Sequence, residues 1–252
     1  MIDTWSKNTD EGKYVGVLLL DLSKAFDTVS HQKLLHKLQN VGLSAETLAF
    51  FFSYLTDRAQ RVVNKKEIAD WKSISRGVPQ GSCLSPLLFN LYISDLPRMD
   101  DIDLFQYADD SNESAADYDL VQLGERLSES FNLTKQYCDE NDLILNDSKT
   151  QLIVLKQPSK RMPDDFSVVI GTEKLVPLKS VKLLGFTVDR HLTFTAHVDS
   201  VVQKANSALA LIRRARKWIP REIAKLAYCA LARSHLEYCS AVFYGMSKIN
   251  KE

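Results

Sequence analysis

Two acidic positions carry the first chemical signal in this chain. Asp21 ends the apolar run Val17-Leu18-Leu19-Leu20, and Asp109-Asp110 end the run Phe105-Gln106-Tyr107-Ala108. Adjacent carboxylates in a tight turn repel each other, and a divalent cation removes that objection. If the two strands are neighbours they lie about 4.8 Å apart, close enough for Asp21 and Asp109 to share ions. Two-metal phosphoryl transfer uses such an arrangement, with ions roughly 3.5–4 Å apart held by carboxylates and completed by substrate phosphates. Taken alone, the same aspartates are equally well ordinary turn residues at strand ends.

The second group is basic. Lys204, Arg213, Arg214, Arg216, Lys217, Arg221 and Lys225 share one stretch in which Glu222 is the single acid. Such a cluster either grips a nucleic-acid backbone, with salt-dependent affinity, or is a solvated helix face. Trp218 inside it either stacks on a base or packs. Net charge does not choose between them, because 32 Lys and Arg balance 32 Asp and Glu over 252 residues.

At 45% hydrophobic and 25% charged, the composition is that of a globular protein. The length suits one large domain, or a domain with an appendage. Cys83, Cys138, Cys229 and Cys239 form no CxxC pair and have no histidines at zinc spacing, so reduced thiols are expected. There is no basic-then-apolar leader pattern and no apolar run of membrane-span length. The Asn-X-Ser/Thr triplets at Asn112, Asn132 and Asn146 therefore read as chance. The expectation is a soluble intracellular protein of the nucleus or cytoplasm, with no membrane partner.

Positioning the aspartates requires strands that end where they stand. Residues 15–20 are apolar throughout apart from Gly16, as in a strand buried on both faces. Residues 30–40 predict a helix ending at Gly42. Ser44 then caps a second helix with Leu48, Phe51, Phe52 and Leu55 on one face. Stretches 61–64 and 71–75 predict a hairpin, and 77–82 a loop leading into an apolar helix over 84–96. A short strand over 104–108 ends at the paired aspartates. The next residues, 111–116, are more polar than an apolar return strand, which argues against a hairpin there. Helix over 118–140, strand over 150–155, hairpin over 166–176 and one strand over 181–188 come after it. From Thr195 the pattern is helical, with Val198, Val201, Val202, Ala205, Leu209 and Ile212 on one stripe. The change from strands to helices predicts a boundary near 190.

The residues around the aspartates resemble one family. Tyr107-Ala108-Asp109-Asp110 is the YADD box of reverse transcriptases, and Asp21-Leu22-Ser23-Lys24-Ala25-Phe26-Asp27 is similar to that family's first catalytic motif. Gly77-Val78-Pro79-Gln80-Gly81-Ser82-Cys83-Leu84-Ser85-Pro86 resembles its template- and nucleotide-contacting loop and helix. Each box is weak alone; three in the family's order are strong. The forms DLSKAFDTVSHQKLL and QGSCLSPLLFNLYISDLP look most like the non-LTR, LINE-type retrotransposon enzymes. Asn146-Asp147-Ser148-Lys149-Thr150 is similar to the fourth motif, and Val181-Lys182-Leu183-Leu184-Gly185-Phe186 to the primer grip. The helical stretch ending His235-Leu236-Glu237-Tyr238 resembles the segment downstream of that grip in non-LTR enzymes.

The resemblance implies roles residue by residue. Asp21 and Asp109 would be the principal ligands of two Mg²⁺ ions (Mn²⁺ being an alternative), Asp110 a supporting acid, and the Leu22 carbonyl a further donor. Phe26, five residues past Asp21, takes the place of an aromatic gate that crowds a ribose 2′-OH; by position alone it is equally a core aromatic. Gln80 and Gly81 would touch the incoming nucleotide, the glycine by close backbone approach and the glutamine by hydrogen bonds, with Pro79 stiffening the loop. Lys149 is similar to a motif lysine that assists pyrophosphate departure, or is a solvated turn lysine. Lys204, Arg213, Arg214, Arg216 and Lys217 would follow a primer–template duplex. Asp27 and Ser30 read as helix-start caps.

The expected fold is α+β: a polymerase palm over residues 1–190, its antiparallel sheet backed by helices, then a helical thumb-like segment over 191–252. The expected activity is RNA-directed DNA synthesis from deoxynucleoside triphosphates on an RNA template with a DNA or target-site primer. The basic fingers that precede the palm in this family have no counterpart, since Lys7 and Lys13 are isolated. A piece of a larger reading frame, a poor polymerase by itself, is therefore expected. The alternative is an inactive remnant that at most binds nucleic acid. RNA-templated RNA synthesis is disfavoured by Phe26 and by YADD.

Overall fold

The computed structural model describes residues 1–64, 67–171 and 173–240. The chain opens with α1 (Ile2–Asp10), β1 (Tyr14–Asp21), a single turn α2 (Ala25–Thr28), α3 (His31–Asn40) and α4 (Ala45–Leu55). Ser30 caps α3 by accepting from the Lys33 amide, and Ser44 caps α4 by accepting from the Thr47 amide. Each satisfies an amide that the first helical turn leaves without an internal partner. On α4, Leu55 is buried and Leu48 and Phe51 half-buried, but Phe52 is exposed, outside the expected stripe.

Next come two nested ribbons, β2 (Arg58–Gln60) with β5 (Lys72–Ile74) and β3 (Val63–Asn64) with β4 (Glu67–Ile68). The expected hairpin is thus displaced outward. Trp71 lies outside its strands, exposed, with the Arg61 guanidinium 4.6 Å from its ring centre. Helix α5 (Ser85–Tyr92) is shorter than predicted and stops before Ile93. Then come β6 (Asp103–Tyr107), β7 (Asp110–Asp117), α6 (Leu120–Glu140) and β8 (Gln151–Leu155). Beyond them lie the hairpins β9 (Val168–Ile170) with β10 (Glu173–Leu175) and β11 (Ser180–Leu183) with β12 (Phe186–Asp189). The single strand expected over 181–188 is therefore two, bent back at Leu184-Gly185, both with positive φ.

Strands β6, β7, β1 and β8 form an antiparallel sheet in that order. The polar stretch after Asp110 is not a loop but a central strand. Ser111, Asn112, Glu113 and Ser114 are all buried in it. Burial of polar groups is tolerable when they are hydrogen-bonded. Ser114 accepts a 3.0 Å bond from the Trp5 indole of α1, and Glu113 accepts from Ser130 (2.6 Å) and Thr134 of α6. Burial pushes the Glu113 carboxyl above the ordinary range, partly offset by those two hydroxyls.

Two cores hold the sheet between them. Leu18, Leu20, Leu152 and Val154 pack against Leu123, Leu127 and Phe131 of α6. On the other face Val15, Val17, Ile153 and Leu155 meet Trp5, Val181, Leu183, Phe186 and Val188. A third core joins α3, α4 and α5 around Leu34, Leu38, Leu55, Leu88 and Phe89. The Asp189 carboxylate pins the exit from β12, accepting from the amides of His191, Thr193 and Phe194. Helices α7 (Thr195–Ala215), α8 (Arg221–Tyr228) and α9 (Ser234–Glu237) complete the described chain, with a π-helical stretch Cys229–Arg233 between the last two. The part of the expected thumb-like segment over 241–252 lies outside the described residues. No helix among the described residues is long and apolar enough to cross a membrane.

Candidate active site

A two-residue turn, Ala108-Asp109, joins β6 to β7, and Tyr107 pairs with Asp110 across its base. Tight hairpin turns of this length need positive φ at a central residue, and Ala108 adopts φ 53°. A non-glycine residue holds that conformation at a cost of roughly 1–2 kcal/mol. The strained turn projects Asp109 from the end of the sheet.

Strand β7 lies between β6 and β1, so the strands that end at Asp21 and Asp109 are not direct neighbours. Asp21 instead stands opposite Asp110, the last pair of the β1–β7 register. Directly opposed residues share a sheet face, with Cβ atoms about 4.5–5.5 Å apart. Asp109 is one residue away in the turn. Burial, then the charges of Asp109 and Asp21, push the Asp110 carboxyl up.

Leu22 continues β1 and makes an isolated antiparallel bridge with Leu145. The flanking hydrogen bonds run from Ser23 N to Ile144 O (2.8 Å) and from Asn146 N to Asp21 O (2.9 Å). In such a pair the bridged residue's own carbonyl points away from its partner, here toward the β7 side where Asp109 and Asp110 lie. Among the described residues no three His, Cys, Asp or Glu side chains are grouped so that they alone could hold a metal ion. The donors that do gather are hard oxygens on an open ledge. That chemistry suits Mg²⁺, which keeps waters and takes substrate phosphates as ligands.

Phe26 stacks on Phe89 of α5, ring centres 4.7 Å apart, and also lines a cleft of about 730 Å³. Tyr107, Ala108, Gln106, Asn90 and Pro86 line the same cleft. Phe26 is thus at once part of the core and part of the cleft wall.

The loop after β5 is docked on the α2 turn. Gly77 N donates to Val29 O (2.7 Å) and Val78 N to Phe26 O (2.8 Å), while the Gly77 carbonyl accepts from Arg58 (2.7 Å) and lies 2.8 Å from His31 Nε2. Gly77 has φ +84°, and a Cβ there would lie 2.8–2.9 Å from the backbone of Asp27 and Phe26. Gln80 Nε2 donates to Asp27 Oδ1 at 2.9 Å. Asp27 therefore lies inside α2 and ties the two motifs together, rather than capping a helix as expected. Gly81 has φ +87° with open space around it.

Lys149 ends a 3₁₀ turn, Asp147–Lys149, and its Nζ lies 3.3 Å from Asp21 Oδ2. The turn is itself held to α6 by an ion pair between Lys135 and Asp147. Lys135, Arg58 and His31 brace these loops through contacts that the sequence alone does not reveal. No local spacing marks them, because their partners lie 12, 19 and 46 residues away.

Tyr238 donates to the Leu184 carbonyl in the β11–β12 turn. Lys204, Arg213, Arg214, Arg216 and Lys217 are exposed on α7 and just beyond it. Among the described residues none of them forms an ion pair, and no ionic contact joins them to the carboxylates. Trp218 beside them is 86% exposed.

Residues 2–188 match the profile of the family described as "Reverse transcriptase (RNA-dependent DNA polymerase)". The RNA-directed DNA polymerase from mobile element jockey of Drosophila melanogaster is 26% identical over 206 residues, covering 79% of this chain and 22% of that protein. The Pol polyprotein of the type-1 retrotransposable element R2 of Popillia japonica is 37% identical over 86 residues, covering 34% of this chain and 14% of the other. The chain thus spans about a fifth of the length of jockey-type relatives. Among solved structures, telomerase from Candida tropicalis bound to a fragment of telomeric RNA superposes with TM-score 0.52 at 14% identity. That match covers 98% of this chain and 42% of the telomerase chain, and at such identity it speaks for the fold alone.

Proposed function

The chain belongs to the reverse transcriptase (RNA-dependent DNA polymerase) family, and from that premise we propose that it is the RNA-copying domain of a non-LTR retrotransposon polymerase. Relatives named for jockey, the X-element and R2 support the element class. The observation that carries the reading is the meeting of Asp21 and Asp110 across one ladder, with Asp109 in the adjoining strained turn.

The family generally works with divalent metals. Here Asp21, Asp109 and the Leu22 carbonyl would hold two Mg²⁺ or Mn²⁺ ions, with Asp110 keeping the site acidic. Bound there, the ions would activate the primer 3′-hydroxyl and neutralise the triphosphate. The protein's own part is positioning. Phe26, braced on Phe89, bounds the sugar pocket and disfavours a 2′-hydroxyl. Gly81 admits the nucleotide against the backbone, and Gln80, once it leaves Asp27, hydrogen-bonds to it. Lys149 carries the positive charge that meets departing pyrophosphate. The exposed cations Lys204, Arg213, Arg214, Arg216 and Lys217 follow the backbone of an RNA template paired with a DNA primer. The four free cysteines suit an intracellular setting, in nucleus or cytoplasm.

Primer extension on an RNA template, with deoxynucleotides and ribonucleotides supplied separately, tests the proposal. Deoxynucleotide-specific extension lost in Asp109→Asn supports it. Ribonucleotide extension points to an RNA-synthesising enzyme. Salt-sensitive duplex binding without synthesis by either substrate points to a binding remnant.

A further inference from the structure

The cation nearest the catalytic carboxylates is not free to wander. Lys149 Nζ stands 3.3 Å from Asp21 Oδ2, although both side chains are well exposed to solvent. A lysine on an exposed turn normally gains little by holding one geometry, since water screens the pair and its side-chain entropy opposes it. Something must fix the turn instead. Asn146 N donates to the Asp21 carbonyl at 2.9 Å, which sets one end. Lys135, from the C-terminal part of α6, pairs with Asp147 Oδ2 and sets the other.

The Lys135–Asp147 pair has the marks of a built contact. The other Asp147 oxygen, Oδ1, is buried and has no hydrogen-bond partner among the described residues. Burying a carboxylate oxygen unsatisfied is unfavourable, and the Lys135 ammonium on Oδ2 offsets that cost. Gly171, in the β9–β10 turn, closes over the pair: a Cβ there would lie 3.6 Å from Lys135 Nζ and 3.7 Å from Asp147 Oδ2. Helix α6 is anchored under the sheet by Leu123, Leu127 and Phe131. A rigid element thus runs from the core through Lys135 and Asp147 to Lys149.

We propose that Lys135 and Asp147 are positioning residues that hold the Lys149 ammonium against Asp21 as a stand-in cation, to be displaced when divalent metal arrives. The proposal rests on the reading of Asp21 as a metal ligand. Its consequence is twofold. The carboxylate end keeps its geometry without metal, and the lysine released by metal binding is already beside the place where pyrophosphate leaves. Divalent-metal affinity is correspondingly weaker than the carboxylates alone would give.

The test is Mn²⁺ binding to the full chain, read by the electron paramagnetic resonance of free Mn²⁺, which needs no turnover. Asp21→Asn should weaken binding, and Lys149→Gln should tighten it by about threefold, the scale of one exposed ion pair. Lys135→Gln and Asp147→Asn should each reproduce most of that tightening, while Lys135→Arg should not. Lys135→Gln added to Lys149→Gln should change nothing further, because the two act through one contact. The swapped pair Lys135→Asp with Asp147→Lys should return the affinity to the starting value. Thermal melting of each variant separates these effects from loss of fold. If Lys149→Gln tightens binding and Lys135→Gln does not, or if their effects add, the tether is overturned. If Lys149→Gln has no effect, the stand-in role falls. If Asp21→Asn leaves Mn²⁺ binding intact, the metal reading itself fails, and that outcome is distinct from the other two.

Discussion

Asp21 and Asp110 face each other at the end of the β1–β7 ladder, the last pair of a register that begins with Tyr14 opposite Asp117. Two carboxylates directly opposed on one sheet face, with a third in the adjoining turn, repel one another. The raised Asp110 carboxyl registers that repulsion together with burial. At the end of a ladder between two central strands, such an arrangement favours a cation beside it.

Asp109→Asn should therefore cut primer extension by at least about two orders of magnitude, because it removes an anionic ligand of the metal ions that neutralise the developing charge. Folding should be nearly unchanged, or slightly improved, since like-charge repulsion falls. Single-turnover extension and thermal melting on one preparation check both halves. Loss of activity accompanied by a large fall in Tm would mean that Asp109 is structural.

Phe26→Val should raise ribonucleotide relative to deoxynucleotide incorporation by roughly tenfold or more, as a steric gate gives way. The same change removes a ring stacked on Phe89. It should cost about 2 kcal/mol of stability, a moderate cavity penalty for a half-buried aromatic. Competition between the two sugars separates the effects: general destabilisation lowers both rates together, whereas loss of a gate changes their ratio.

The two loop glycines should fail differently. Gly77→Ala drives a methyl into the backbone of Phe26 and Asp27. It should destabilise by about 2 kcal/mol or more, since φ and space both forbid it. Gly81→Ala keeps its surroundings clear. Its cost should be about 1 kcal/mol from the left-handed φ alone. If Gly81 lets the nucleotide close in, that variant should lose activity through a raised KM for deoxynucleotide. Equal melting temperatures for the two variants would contradict this account.

Glu113→Gln should stabilise the protein at neutral pH. Folding raises the Glu113 pKa above its ordinary 4.5, mainly by burial, so the folded state holds the proton more tightly than the unfolded state. Its contribution is fully present below the unfolded value and is lost as pH rises through the folded one. The glutamine keeps an acceptor for Ser130 or Thr134 without a charge to desolvate. Melting at pH 8 should favour the variant by about 1–2 kcal/mol, the scale of a buried polar penalty. The gap should narrow toward pH 4.5. A gap independent of pH would show that the carboxyl is not the titrating group.

Much of this architecture is legible along the chain. The apolar run of β1, the caps Ser30 and Ser44, the long helix α6 and the three motifs are local patterns of spacing and residue type, and they place the aspartates at strand ends. Which elements lie side by side is decided elsewhere. Residues 111–116 read as too polar for a return strand because their partners, Trp5 on α1 and Ser130 and Thr134 on α6, are not in their neighbourhood of the sequence. Once those partners are supplied, Glu113 and Ser114 can be buried, β7 enters the sheet between β6 and β1, and Asp21 pairs in register with Asp110. The Gln80–Asp27 bond and the Lys135–Asp147–Lys149 chain have the same origin. Periodicity records which face of an element is apolar, but burial and hydrogen bonding across the whole molecule decide which element covers it.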